Sequence, residues 1–168
     1  MRAKATVEKY LPDLVYGAND GIVTTLVVIA SVTGASMSTT VILVLGFANL
    51  AADGFSMGTS NVLSVRTTPT TKNRPPLLRA LRNGLATFAA FVVAGMLPLS
   101  AYLLPWPADW RFPAACVSAA VALFVIGAFR SLFSDRPWPA AGVEMLGLGA
   151  LASLVAYGIG ALAAAFIQ

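Results

Sequence analysis

Residues 141–167 read AGVEMLGLGALASLVAYGIGALAAAFI, and this stretch decides the class of fold. It has a single charged residue, Glu144, and no polar face of the kind that a helix shows at a water-exposed surface. A helix that crosses a bilayer needs about 20 mostly apolar residues, and this run is long enough. It therefore predicts a transmembrane α-helix and argues against a soluble helical bundle.

Four more stretches meet the same requirement. The predicted spans are residues 14–35, 40–64, 81–104, 114–133 and 141–167. A short amphipathic segment, residues 1–12, is expected to lie at the membrane surface before them. The chain of 168 residues is 58% hydrophobic and 11% charged, whereas a soluble domain carries about 25% charged residues. We expect an all-α integral membrane protein in which residues 13–168 form one five-helix domain.

The connections between the spans differ in charge, and this sets the expected orientation. The connection after span two, with its flanks, has five basic residues and no acid: Arg66, Lys72, Arg74, Arg79 and Arg82. The turn after span four adds Arg130 and Arg136, whereas the turn at residues 34–38 has no charge. The positive-inside rule places the N-terminus and both basic connections in the cytoplasm, and the C-terminus opposite. The expected setting is a bacterial plasma membrane, with the lipid bilayer as partner and no nucleic acid.

Several kinds of chemistry are excluded by composition. The chain has no histidine and a single cysteine, Cys116. It therefore has neither a disulfide within the chain nor a histidine-based zinc site or catalytic triad. No other pairing of nucleophile and base is evident, so we expect no enzyme and no permanently bound cofactor.

Among the acidic residues inside the spans, Asp20 and Asp53 stand out, because a charge within the bilayer costs about 2.5–3.5 kcal/mol on insertion scales. Asp20 lies in residues 16–24, YGANDGIVT, and Asp53 lies in residues 49–61, NLAADGFSMGTSN. Each belongs to a stripe of polar residues at four-residue spacing, on one side of its helix. The stripes are Tyr16, Asp20 and Thr24 in span one, and Asn49, Asp53, Met57 and Asn61 in span two. Such stripes should face each other or a water-filled path.

Pairs of glycines accompany both stripes. Gly17 and Gly21 are four residues apart, and so are Gly54 and Gly58. Small residues at this spacing let helix backbones approach closely. The spacing predicts that spans one and two pack together and bring Asp20 and Met57 to a shared ligand.

Two carboxylates, amide oxygens and a thioether favour a divalent cation, and the thioether favours a transition metal. The predicted metal ligands are Asp20, Met57, Asp53 and Asn49, with Tyr16, Thr24, Asn61 and Glu144 as secondary candidates. Metal binding needs ionised carboxylates, so protons compete for the same groups. This competition suggests a site that exchanges metal for protons.

Simpler interpretations stay open at this point. Met57 is explained equally by core packing, and Asn61 by a contact at a helix end. Glu144 and Asp13 are explained by an interfacial position, and the two intramembrane acids by hydrogen bonds between helices. Two other functions of the whole chain also stay open. One is a passive cation channel, and the other is a membrane scaffold that transports nothing.

The stretches that contain the acids resemble the vacuolar iron transporter family. The similarity lies in residues 13–25, DLVYGANDGIVTT, and residues 46–58, GFANLAADGFSMG, with shorter matches at residues 98–99, 122–128 and 156–160 in the family's order. It implies a five-helix protomer, a homodimer, and export of Fe²⁺ or Mn²⁺ from the cytosol in exchange for protons. It also implies a path at the dimer interface between the first two helices. Asp20 and Met57 match the family's first-helix aspartate and second-helix methionine.

The chain departs from the family pattern at two points. Asn49 stands where the family often has a glutamate, and we expect Asp53, one turn later, to supply the missing carboxylate. Many members carry a long glutamate-rich insert between helices two and three, whereas the connection at residues 66–79 is short and basic. The resemblance therefore implies a short member without the cytoplasmic metal-binding insert.

Overall fold

The computed structural model describes residues 2–67, 76–133 and 136–167. These residues form five long helices and a short 3₁₀ turn at Ser131–Phe133. The helices are α1 (Arg2–Gly34), α2 (Thr39–Thr67), α3 (Leu77–Ser100), α4 (Ala108–Arg130) and α5 (Trp138–Ile167). No strand occurs in the described ranges, and all five helices have the length and apolar character needed to cross a bilayer. The prediction of an all-α membrane protein with five transmembrane helices is confirmed.

Two helices begin earlier than the sequence predicted. Helix α1 begins at Arg2 and continues through Pro12, so the segment over residues 1–12 is not separated from the first span by a helix end. Helix α4 begins at Ala108, six residues before the start of the predicted span over residues 114–133. Asp109 lies in the first turn of α4, where a carboxylate interacts favourably with the positive end of the helix dipole.

The connection between α2 and α3 is shorter than the predicted range of residues 66–79. Helix α2 continues to Thr67, and α3 begins at Leu77. Lys72 and Arg74, which contribute to the predicted orientation, lie outside the described residues. Arg79 lies in the first turns of α3 instead of in a loop.

The predicted turn at residues 34–38 is confirmed, and its hydrogen bonds explain why α1 ends there. Ser36 adopts a left-handed conformation with φ of 55°. Its N–H donates to the Thr33 carbonyl at 2.9 Å, and the Met37 N–H donates to the Val32 carbonyl at 3.1 Å. This pair of bonds is the Schellman arrangement, which satisfies carbonyls that the end of a helix leaves without partners.

Helix α1 is the centre of the protomer because it contacts all four other helices. Its Ile22 and Ile29 are fully buried, as are Phe91 and Leu99 of α3. Helix α5 lies at the periphery and exposes large apolar side chains, among them Leu154 at 71%. An apolar outer surface of this kind is compatible with lipid and not with water.

Close contacts between backbones hold α1 and α2 against α3. A Cβ atom added at Gly21 would overlap the backbone of Phe91, and one added at Gly17 would lie 2.5 Å from the Thr87 carbonyl oxygen. On α2, a Cβ atom at Gly58 would lie 2.9 Å from the Gly84 carbonyl oxygen. The glycines therefore pack both helices against α3, whereas the sequence predicted that they would pack α1 and α2 against each other.

This contact predicts that Gly21→Ala destabilises the protein. The added methyl group has no space unless α1 moves away from α3, and overpacking of this kind costs about 1–3 kcal/mol. We expect a lower melting temperature for the purified variant in detergent. Gly158→Ala is the matched control, because a Cβ atom there meets nothing within 4 Å. Equal melting temperatures for the two variants would contradict the close α1–α3 contact.

Candidate functional site

Helix α2 has two sides of opposite character. One side is buried against the rest of the protomer and includes Leu50, Gly54 and Gly58. The other side is exposed and carries the carboxylate of Asp53 and the hydroxyl of Ser56. Both polar residues lie inside a helix that qualifies as a membrane span. A single protomer therefore presents polar groups at a depth where lipid is an unfavourable neighbour.

The two intramembrane acids lie on neighbouring helices, where Asp20 of α1 is half-buried and Asp53 of α2 is exposed. Asp20 follows Asp13 by seven residues, about two turns, and therefore lies on the same side of α1 as Asp13, which bonds to Asn61 of α2. The rest of its stripe lies along α1. The Thr24 hydroxyl donates to the Asp20 carbonyl at 2.8 Å, and the Tyr16 side chain is 65% exposed. Tyr16 also lines a groove towards α4 and α5, so this stripe is not confined to the side of α1 that faces α2.

Asn49 and Met57 lie at the border between the two sides of α2, and both are half-buried. The side-chain nitrogen of Asn49 is buried and has no hydrogen-bond partner within the described ranges. Met57 packs against the core cluster that contains Leu50 and Phe91. Core packing is therefore part of the role of Met57, and its assignment as a ligand remains a prediction.

Asn61 connects three helices. Its Nδ2 donates to Oδ1 of Asp13 on α1 at 2.8 Å and to Oγ1 of Thr87 on α3 at 2.9 Å. Thr87 is fully buried and donates in turn to the Asn83 carbonyl at 3.1 Å. The amide of Asn61 is thus a structural link, whereas the sequence predicted a secondary metal ligand or a contact at a helix end.

The polar link through Thr87 was missed by sequence reasoning, which named no candidate site residue within span three. The available signal was Asn83 and Thr87, two polar residues four apart in a span that is otherwise apolar. Asp13 takes part in the same link, because its carboxylate accepts the bond from Asn61.

Glu144 lies in an ion-pair cluster at the start of α5. Its Oε2 is 3.9 Å from Nη1 of Arg130 and 3.6 Å from Nη1 of Arg136. Two arginines at the end of α4 and in the following turn therefore surround this carboxylate. These contacts favour an electrostatic role for Glu144 over that of a metal ligand.

The number of strong ligands in one protomer is small. Within residues 2–67, 76–133 and 136–167, no group of three or more histidine, cysteine, aspartate or glutamate residues is placed to hold a metal ion. A metal site on the exposed side of α1 and α2 would have two carboxylates, Asp20 and Asp53. Neutral donors, such as Asn49 and Met57, or donors from a second chain would have to complete it.

Comparison with known proteins identifies the family. The sequence model of the VIT family matches residues 11–75 and 69–161, and the two matches meet at the connection between α2 and α3. A protein of Toxoplasma gondii (strain ATCC 50861 / VEG) named vacuolar iron transporter is 25% identical over 227 aligned residues, which cover 94% of this chain and 75% of the relative. That alignment is longer than the 168-residue chain, so the relative has residues without a counterpart here. Since the family model matches most of its length, the chain belongs to the VIT family.

Proposed function

We propose that the chain is a proton-coupled transporter that moves a divalent transition metal, Fe²⁺ or Mn²⁺, out of the cytosol. Membership in the VIT family and similarity to a protein named vacuolar iron transporter support metal-ion transport. The observation that carries the proposal is that Asp20 and Asp53 lie within two contacting membrane-spanning helices. No reaction and no permanently bound cofactor are assigned.

The electrostatics of the two carboxylates favour a cation. Two negative charges near each other within a bilayer repel, and their separation from water makes each more costly. A divalent cation between or beside them offsets both charges at once. Asp20 and Asp53 would supply the charge, while the Asn49 amide oxygen and the Met57 sulfur would supply neutral donors, the sulfur favouring a transition metal.

The same pair explains how metal movement would be coupled to protons. Carboxylates bind metal only in the ionised form, so protonation and metal binding exclude each other. When metal leaves, repulsion between the two acids favours uptake of a proton. A site that opens alternately to each side of the membrane then carries metal in one direction and protons in the other.

A homodimer completes this arrangement. Pairing with a second copy about a two-fold axis brings the same surface of both chains together. If the exposed side of α2 forms that surface, Asp53 and Ser56 are removed from lipid, and the metal gains donors from the second chain. We propose this interface because one protomer leaves those groups uncovered. The N-terminus and the basic turns would face the cytosol.

The first test is Asp20→Asn in proteoliposomes. Removing one of two charged ligands should lower Fe²⁺ and Mn²⁺ uptake at least about 10-fold, because changes to residues that merely support a metal ligand already cost 10–100-fold. Asp109→Asn is the matched control, since Asp109 is an exposed carboxylate in the first turn of α4. Uptake by Asp20→Asn at the wild-type rate would refute the proposed ligand.

A second test addresses proton coupling. In liposomes with an acidic lumen, protons leave as metal enters, so uptake should be faster than without a pH gradient and should slow when an ionophore dissipates it. Flux that follows an imposed voltage and ignores the pH gradient would indicate a passive channel. No flux of any metal above empty liposomes would indicate a scaffold.

A third test addresses the dimer. Ala52 is exposed on α2 beside Asp53, and Val121 is exposed at 59% on α4. In a Cys116→Ala background, a short bismaleimide should crosslink Ala52→Cys into a dimer and leave Val121→Cys monomeric. Equal crosslinking of the two variants would argue against an interface formed by α2.

A further inference from the structure

A groove of about 550 Å³ lies between α1 and the α4–α5 pair, and no residue of α2 lines it. Val15, Tyr16 and Asn19 form the wall on α1, and Met145 and Leu148 form the wall on α5. Arg130, the last residue of α4, completes the lining. The groove therefore combines an arginine with polar and apolar side chains.

The charge beside the groove is positive. Arg130 and Arg136 share a single carboxylate oxygen of Glu144, at 3.9 Å and 3.6 Å. Both distances are longer than a hydrogen bond, and the two arginine side chains are 46% and 67% exposed. One acid offsets one of two cations, so an excess positive charge and several guanidinium N–H donors remain available to an anion.

The groove lies where a lipid headgroup would be. Arg136 lies two residues before α5, and Trp138 is the first residue of that helix. The Trp138 side chain is 59% exposed, and tryptophan is enriched at membrane interfaces. Met145 and Leu148 lie about two to three helical turns further along α5, which is deeper in the bilayer. The lining of the groove thus changes from cationic at the interface to apolar within the membrane. A phospholipid has the same order of groups, with a charged headgroup followed by apolar acyl chains.

We propose that this groove binds one anionic phospholipid. Arg130 and Arg136 would bind the phosphate through charge-assisted hydrogen bonds. Tyr16 and Asn19 would face the glycerol ester groups, and Val15, Met145 and Leu148 would contact an acyl chain. Basic pockets between transmembrane helices are a known setting for anionic headgroups. The inference depends on the groove and its charges and not on the proposed transport activity.

The position of the groove gives such a lipid a consequence for α1. Tyr16 lies one helical turn before Asp20 on the same stripe. A lipid that contacts Tyr16 would restrain this part of α1 and would link the position of Asp20 to the composition of the membrane.

The experiment compares the retention of phosphatidylglycerol and phosphatidylcholine by the full-length purified protein, counted by native mass spectrometry. The double variant Arg130→Gln/Arg136→Gln should retain phosphatidylglycerol roughly ten-fold less well, the effect of losing one charge-assisted hydrogen bond of about 1.5 kcal/mol. Arg79→Gln/Arg82→Gln is the matched control, because it removes two exposed arginines of α3 from the same predicted side. Its retention should equal that of the wild type.

Two single variants test the site without removing an arginine. Glu144→Gln removes the competing carboxylate and should increase phosphatidylglycerol retention. Leu148→Trp narrows the groove without changing charge and should decrease it, with the melting temperature in phosphatidylcholine unchanged. The proposal is overturned if the α3 control loses as much lipid as the groove variant, if Glu144→Gln retains no more than the wild type, or if phosphatidylcholine is retained equally well.

Discussion

The backbone contact of α1 with α3 at Gly17 and Gly21 is the constraint on which the rest of the arrangement depends. It fixes the rotation of α1 about its axis, because only the glycine side of the helix fits against the carbonyls of Thr87 and Phe91. Successive residues of a helix are about 100° apart, so this choice turns Asp20 away from α3. The carboxylate is consequently available on the side that α1 shares with α2.

The two sides of helix α2 have different roles, since one packs against α3 and the other exposes a carboxylate. Gly54 and Gly58 give it a smooth surface that fits Phe88 and Gly84 of α3, and the hydrogen bonds of Asn61 hold α2 to both α1 and α3. Its other side keeps Asp53 exposed. A helix that is anchored along one side can carry an unfavourable group on the other, since the anchoring contacts offset the cost of placing a charge within the bilayer. The proposed transport site is therefore supported by packing that takes no part in binding metal.

We propose two roles for Arg130 and Arg136, in membrane orientation and in lipid binding. Glu144 holds Arg130 and Arg136 near each other without neutralising both, and the excess charge borders a groove that reaches α1. Topology signals and lipid recognition have the same physical origin, the attraction of basic side chains to anionic headgroups. The predicted orientation places both arginines at the level where the membrane changes from polar to apolar, where one side chain can serve both roles.

The sequence by itself determined the class of fold, the five spans and the two acids that the bilayer makes costly. These properties are local. The length of an apolar run and the position of an acid within that run are the same whichever helices lie beside it. Helix ends were less predictable, because α1 continues through Pro12 and α4 through Pro113, although a proline inside a helix removes a backbone hydrogen bond.

Only the tertiary structure decided which neighbour each side of a helix contacts. The glycines of α1 and α2 carry the same spacing whether they meet each other or α3, and the sequence predicted the wrong partner. The roles of Asn61 and Glu144 changed for the same reason, because a hydrogen bond or an ion pair depends on residues far away in the chain. Spacing along a helix defines a side, and packing determines what that side touches.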